Sequence, residues 1–147
     1  MSTKAILLVE DDPDHRALTQ HALSSGDVIA AVVPVRDGDE ALDYIFCRGG
    51  WAGRDLAASP ALVLLDLKLV SMDGIEVLRQ IREDARTRSI PVVVLTCSNE
   101  TSDIARCYEA GANGFVRKPA NFDEFRDALR ATALFWLDFN VPLPPQR

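Results

Sequence analysis

Apolar residues along this chain gather in short unbroken runs, separated by segments in which they recur every three or four positions. The runs are Ala5 to Val9, Ala61 to Leu65, Pro91 to Leu95 and the weaker Gly114 to Val116. Each is continuous instead of alternating, as strands covered on both faces are. Val28 to Val35 supplies a fifth candidate strand. Pro34 within it predicts an edge position, because proline brings no N–H to an interior ladder.

The intervening segments predict helices, and most open with a recognisable cap. Asp12-Pro13 offers a cap followed by proline at the first helical position. Leu18, Ala22 and Leu23 then continue on one face until Gly26. Asp37 with Glu40 three residues on has the form of a capping box ahead of Ala41, Leu42, Ile45 and Phe46. Asp73 with Glu76 repeats the device before Leu78 and Ile81. Ser98 or Asn99 opens a helix carrying Ile104, Cys107 and Tyr108, ended by Gly111. Asn121 with Glu124 opens the last, where Phe122, Phe125, Leu129 and Ala133 keep helical spacing. Strand and helix therefore alternate five times. That order predicts the α/β class: a doubly wound, five-stranded parallel sheet, (βα)5, with helices on both faces. Two segments stand outside the repeat: the glycine-containing connection Arg48 to Ser59, and the proline-rich end Val141 to Arg147, expected to be extended.

In a doubly wound sheet a ligand site forms at the carboxyl ends of the strands, near the point where strand order reverses. The side chains falling there carry chemistry. The first strand ends in Glu10-Asp11-Asp12, and adjacent carboxylates in a crevice repel one another unless a cation offsets them. Mg²⁺ takes one or two carboxylates together with phosphate and water. The third strand ends in Asp66, the fourth in Thr96 and the fifth in Lys118-Pro119. Taken singly, each has an ordinary structural role as a cap, a turn residue or a surface lysine. Together they supply a nucleophilic carboxylate, a cation site and two groups that stabilise phosphoryl charge.

Composition narrows the class further. The 147 residues suit one domain, and 48% apolar with 26% charged residues is ordinary for a globular protein. A net charge of -6 argues against electrostatic binding of nucleic acid. No apolar run is long enough to span a bilayer, and no signal peptide precedes the first strand, so no membrane role and a cytoplasmic location are expected. Cys47, Cys97 and Cys107 show no C-x-x-C spacing and offer no metal-ligand set.

The segments ILLVEDDPD, LLDLKLVSMDG, PVVVLTCS and GFVRKPANFDEF resemble the motifs of response-regulator receiver domains, over nearly the whole chain. The resemblance implies a flavodoxin-like strand order, 2-1-3-4-5, and a receiver domain over 1–139 followed by the tail 140–147. It implies that Asp66 is phosphorylated by a sensor histidine kinase in a Mg²⁺-dependent reaction. Glu10, Asp11, Asp66 and the Lys68 backbone carbonyl would hold the ion. Thr96 would bind the phosphoryl group and reorient, Phe115 would change rotamer with it, and Lys118 would form an ion pair, with a cis Lys118-Pro119 bond. Such a receiver catalyses its own phosphotransfer and dephosphorylation but has no metabolic substrate. Val70 stands where proline is frequent, which predicts a looser loop, and Cys97 replaces a smaller residue.

Three other classes compete with this reading. A haloacid-dehalogenase-type phosphatase needs an acid two residues after its nucleophile, where this chain has Lys68. A pseudo-receiver loses a carboxylate, the threonine or the lysine, and all are present. No glycine-rich loop follows the first strand, as a mononucleotide-binding flavodoxin-like site would require.

The last helix carries Leu134-Phe135-Trp136-Leu137-Asp138-Phe139, more apolar surface than one core-facing stripe uses. Such an excess marks an interface or a segment folded back on the domain. With the long loop before the third strand, it resembles the small regulators paired with bacterial phytochrome-type histidine kinases, which commonly form homodimers. A homodimer is therefore expected, with Phe135, Trp136 and Phe139 contributing, and no attached output domain.

Overall fold

The unbroken apolar runs become strands because each has to satisfy two helical layers at once. The computed structural model describes residues 4–24 and 30–144. In them β1 (Ala5–Val9), α1 (Pro13–Ser24), β2 (Ala31–Val35), α2 (Gly38–Ile45), β3 (Leu62–Leu65), α3 (Gly74–Glu83), β4 (Val92–Thr96), α4 (Thr101–Glu109), β5 (Gly114–Arg117) and α5 (Phe122–Leu134) follow in order. Successive side chains of a strand point to opposite faces. Leu7 and Val9 of β1 accordingly pack with Leu42, Ile45, Leu78 and Ile81 of α2 and α3. Ile6 and Leu8 pack on the other face with Ala22, Leu23, Phe125 and Leu129 of α1 and α5. All five strands are parallel, in the order β2-β1-β3-β4-β5, which is the flavodoxin-like order. Pro34 lies on the edge strand β2, opposite Leu8, as its missing N–H requires.

The caps hold largely as expected. Asp37, Asp73 and Asn121 accept hydrogen bonds from the N–H groups of Glu40, Ile75 and Glu124, at 2.8, 2.9 and 3.2 Å. Asp12 does the same for Asp14 and His15, at 2.9 and 3.3 Å. The reciprocal arm of the boxes differs. Glu40 accepts from the Arg36 N–H, one residue before the cap, while Glu76 turns to Arg79 and Gln80.

Three expectations are corrected. In α1 the inward stripe is Thr19, Ala22 and Leu23, and Leu18 is 47% exposed, because it lies about 100° off that stripe. Its expected stop at Gly26, like Val28 of the second strand, lies outside the described residues. Helix α4 begins at Thr101 and not at Ser98 or Asn99; the Ser98 hydroxyl accepts from the Glu100 N–H in the preceding turn. Among the described residues no peptide bond is cis, so Lys118-Pro119 is trans. Trans is the lower-energy isomer even before proline. The Lys118 ammonium reaches its partners from that conformation, as described below.

The connection after α2 is not loose. Gly49–Trp51 forms a single 3₁₀ turn. The Arg54 guanidinium lies 3.8 Å from the Tyr44 ring centre and donates to the Tyr44 and Ala58 carbonyls, at 2.7 and 2.9 Å. Trp51 meets Tyr44 edge-on at 4.9 Å.

After Leu134 the last helix widens into one π turn, Phe135–Phe139, closed by the Asn140 N–H on the Phe135 carbonyl at 2.7 Å. Leu137 is thereby buried against the core beside Leu129 and Ala133, and Lys4 donates to its carbonyl. Residues 141–144 are exposed without regular structure. Among the described residues no helix is long and apolar enough to cross a membrane.

Candidate functional site

Parallel registry delivers the polar strand ends to one place. Val9 pairs with Leu65, so Glu10 and Asp11 leave β1 beside Asp66 leaving β3. The Asp66 N–H donates to the Val9 carbonyl at 3.0 Å, and the Glu10 N–H to the Val35 carbonyl at 3.2 Å. Between β2 and β3 the chain changes sides of β1, so the crevice sits at the switch point. Lys118 follows β5, and its N–H donates to the Thr96 carbonyl at 2.8 Å.

Glu10, Asp11 and Asp66 bring carboxylate oxygens within 4.8 Å of one another. Glu10 is 2% exposed. Its Oε1 accepts from the Lys118 ammonium at 2.8 Å, while its buried Oε2 has no hydrogen-bond partner among the described residues. Burial, reinforced by the hydrogen bond a protonated Glu10 shares with Asp66, pushes its carboxyl up to about 8 against the pull of Lys118. Lys118 lies 3.5 Å from Asp66 Oδ2. Burial pulls its ammonium down, but the Glu10 hydrogen bond and the Asp66 charge outweigh this and hold it above the ordinary lysine value. Three converging carboxylates with one orphaned buried oxygen fit a hard dication with oxygen ligands, which would cancel their repulsion.

Asp66 Oδ1 accepts from the Lys68 N–H at 3.1 Å, in a loop pinned by a bridge between Lys68 and Asp73. Gly74 lets the start of α3 approach this loop: a Cβ there would lie 2.5 Å from the Asp66 carbonyl oxygen and 2.9 Å from that of Leu67. Val70 reverses its expected effect. Its N–H donates to Asp11 Oδ2 at 3.1 Å, a bond that proline could not make, so the loop is tied to the acidic cluster.

Thr96 is buried, and its hydroxyl oxygen accepts from the Ser98 N–H at 3.3 Å. Cys97 is exposed. Phe115 is half-buried against the cluster of Leu67, Ile75, Val94 and Cys107. Phe135 and Phe139 are 50% and 69% exposed, far along the chain from these strand ends, whereas Trp136 packs partly on the core and edge-on to Phe135 at 5.1 Å. Three participants escaped sequence reasoning. His15 Nδ1 stands 3.4 Å from the Lys118 ammonium and 3.5 Å from Glu10 Oε1. Asp103 accepts from the Ser98 hydroxyl, and Gly74 sits under Asp66. Only Gly74 carried a signal, as the glycine directly after a helix cap.

The profile of the response regulator receiver domain matches residues 6–130. The chain belongs to the response regulator receiver domain family. This receiver is 40% identical over 135 residues to the probable methanogenesis regulatory protein FilR2 of Methanothrix harundinacea (strain 6Ac), covering 92% of this chain and 84% of that one. It is 34% identical to response regulator Rcp1 of Synechocystis sp. (strain ATCC 27184 / PCC 6803 / Kazusa), covering 96% and 93%. The Mn²⁺-bound crystal structure of Rcp1 superposes with a TM-score of 0.85, over 95% of this chain and 99% of that one, at 32% identity. The crystal structure of the phosphorylated cyanobacterial phytochrome response regulator RcpA gives a TM-score of 0.88 at 38% identity, over 96% and 99% of the two chains. The receiver fold and its acidic cluster thus coincide in one chain.

Proposed function

We propose that this receiver accepts a phosphoryl group on Asp66 from a sensor histidine kinase. The observation that carries the reading is the convergence of buried Glu10 with half-buried Asp11 and Asp66, with Lys118 set against Glu10 and Asp66. Glu10, Asp11, Asp66 and the Lys68 carbonyl would hold Mg²⁺. The bound ion supplies charge neutralisation and a fixed seat for phosphoryl oxygens. The Mn²⁺-bound form of Rcp1 supports a divalent ion, and the phosphorylated form of RcpA supports the acceptor role.

An Asp66 carboxylate oxygen forms the new bond to phosphorus as the donor's P–N bond breaks. That bond's electron pair passes to the imidazole nitrogen. Lys118, already against Asp66, stabilises charge on the phosphoryl oxygens, and the Thr96 hydroxyl donates to one of them. Reorientation of Thr96 draws Phe115 inward as the switch. Attack of water on phosphorus later returns the carboxylate and inorganic phosphate, so the domain catalyses its own reset.

The phytochrome regulator RcpA supports a phytochrome-type kinase as the partner. Exposed Phe135 and Phe139 support a homodimer through the end of the chain, and the reading carries a cytoplasmic location with it. Beryllofluoride with Mg²⁺, which mimics a phosphoryl group on a carboxylate, is expected to raise the Tm of wild type and leave Asp66→Asn unmoved. An equal shift in both proteins would move the acceptor elsewhere.

A further inference from the structure

A polar chain runs from Thr96 away from the acidic crevice and returns to the acceptor loop by another route. The Ser98 N–H donates to Thr96 Oγ1 at 3.3 Å. The Ser98 hydroxyl donates to Asp103 Oδ2 at 2.6 Å and accepts from the Glu100 N–H at 3.2 Å. Ser98 and Asp103 are 8% and 7% exposed. Asp103 Oδ1 lies 3.5 Å from Arg106 Nη1, and Arg106 Nη2 reaches Asp73 Oδ2 at 3.1 Å. Asp73 caps α3 through Ile75 and bridges to Lys68, two residues past Asp66. Of these, Lys68, Asp73, Asp103 and Arg106 wall a cleft of about 360 Å³ between the acceptor loop and α4.

A carboxylate and a hydroxyl this deeply covered are costly unless they satisfy each other, and here they do. Helix capping alone does not require it. The Glu100 cap of α4 makes no side-chain bond to the helix, and the Ser98 hydroxyl accepts from the Glu100 N–H while its own N–H engages Thr96. A hydroxyl has one proton and two lone pairs. With a lone pair of Thr96 Oγ1 occupied by Ser98, its proton is left to point at another acceptor.

Resting on the phosphoacceptor reading above, we propose that Ser98 and Asp103 are positioning residues that direct the Thr96 hydroxyl proton, so that it meets a phosphoryl oxygen when Thr96 reorients. Asp103 locks the Ser98 side chain, and that fixes the Ser98 N–H on Thr96. Arg106 extends the brace to Asp73, so the two walls of the site are held by one network. Neither Ser98 nor Asp103 touches the carboxylates of the metal cluster.

The test is the rate of phosphorylation by acetyl phosphate beside the affinity for Mn²⁺ alone, in wild type, Ser98→Ala, Ser98→Thr and Asp103→Ala. Misplacing a charge-stabilising donor costs on the order of tenfold or more in rate. Ser98→Ala and Asp103→Ala are expected to phosphorylate roughly tenfold more slowly with Mn²⁺ affinity unchanged. Ser98→Thr keeps both hydroxyl and N–H, and is expected to restore the rate. Should Asp103→Ala fail to fold, the serine pair carries the test. Rates equal to wild type in Ser98→Ala overturn the proposal. Parallel loss of rate and Mn²⁺ affinity also overturns it, by showing a general loosening. Failure of wild type itself to take a phosphoryl group is a distinct result: it removes the phosphoacceptor reading, and the inference with it.

Discussion

Glu10 shows how far one residue can depart from its ordinary chemistry when the fold withholds water. Its carboxyl is raised from 4.5 to about 8, first by burial and then by Asp66. The folded state therefore binds this proton more tightly than the unfolded chain does. Its contribution to stability is fully present below about 4.5 and is lost as pH rises through about 8. Metal-free protein is expected to lose on the order of a few kcal/mol across that window, since each pKa unit is worth about 1.4 kcal/mol. Glu10→Gln should flatten the loss in urea denaturations at a series of pH values; parallel curves would place the effect elsewhere. Gly74 is a second case. A Cβ added there would meet the Asp66 carbonyl oxygen at 2.5 Å, so Gly74→Ala must move backbone. A cost of about 2 kcal/mol is expected by chemical denaturation, within the range of overpacked sites. The charged residues of this site were legible because strand-end carboxylates and a lysine are conspicuous. Asp103 was not, because an acid in the first turn of a helix has an ordinary explanation until its burial is known.

At the scale of elements, caps read well and helix ends read badly. Asp37, Asp73 and Asn121 were found from short-range chemistry alone, since a side chain accepting an N–H two or three residues on needs no tertiary information. Asn121→Ala should cost about 1 kcal/mol in thermal or chemical denaturation, the ordinary value of a lost cap. The start of α4 was misread because Ser98 bonds across a turn to Asp103 instead of capping directly. The π turn at Phe135–Phe139 left no mark in the periodicity. Its reason is tertiary: one extra residue in the turn carries Leu137 into the core. Leu137→Ala should therefore cost about 2–5 kcal/mol, as core truncations do, although hydropathy alone would class it with its exposed neighbours.

For the whole molecule, the βα alternation gave sheet direction and layering, because continuous apolar runs admit few other burials. The strand order came from resemblance and could not be read from any local pattern. The end of the chain divides in a way periodicity could not resolve. Trp136 belongs partly to the core, while Phe135 and Phe139 remain largely exposed. In the homodimer reading, Phe135→Ala with Phe139→Ala should halve the mass in sedimentation and leave Tm nearly unchanged, whereas Trp136→Ala should lower Tm. A wild type that sediments as a monomer at all concentrations would end that reading. Phosphorylation of Asp66 is tested most directly by intact mass. Wild type incubated with acetyl phosphate and Mg²⁺ should gain one phosphoryl group, and Asp66→Asn, or wild type stripped of divalent metal, should gain none. A phosphoryl group gained equally by Asp66→Asn, or by neither protein, would contradict the account.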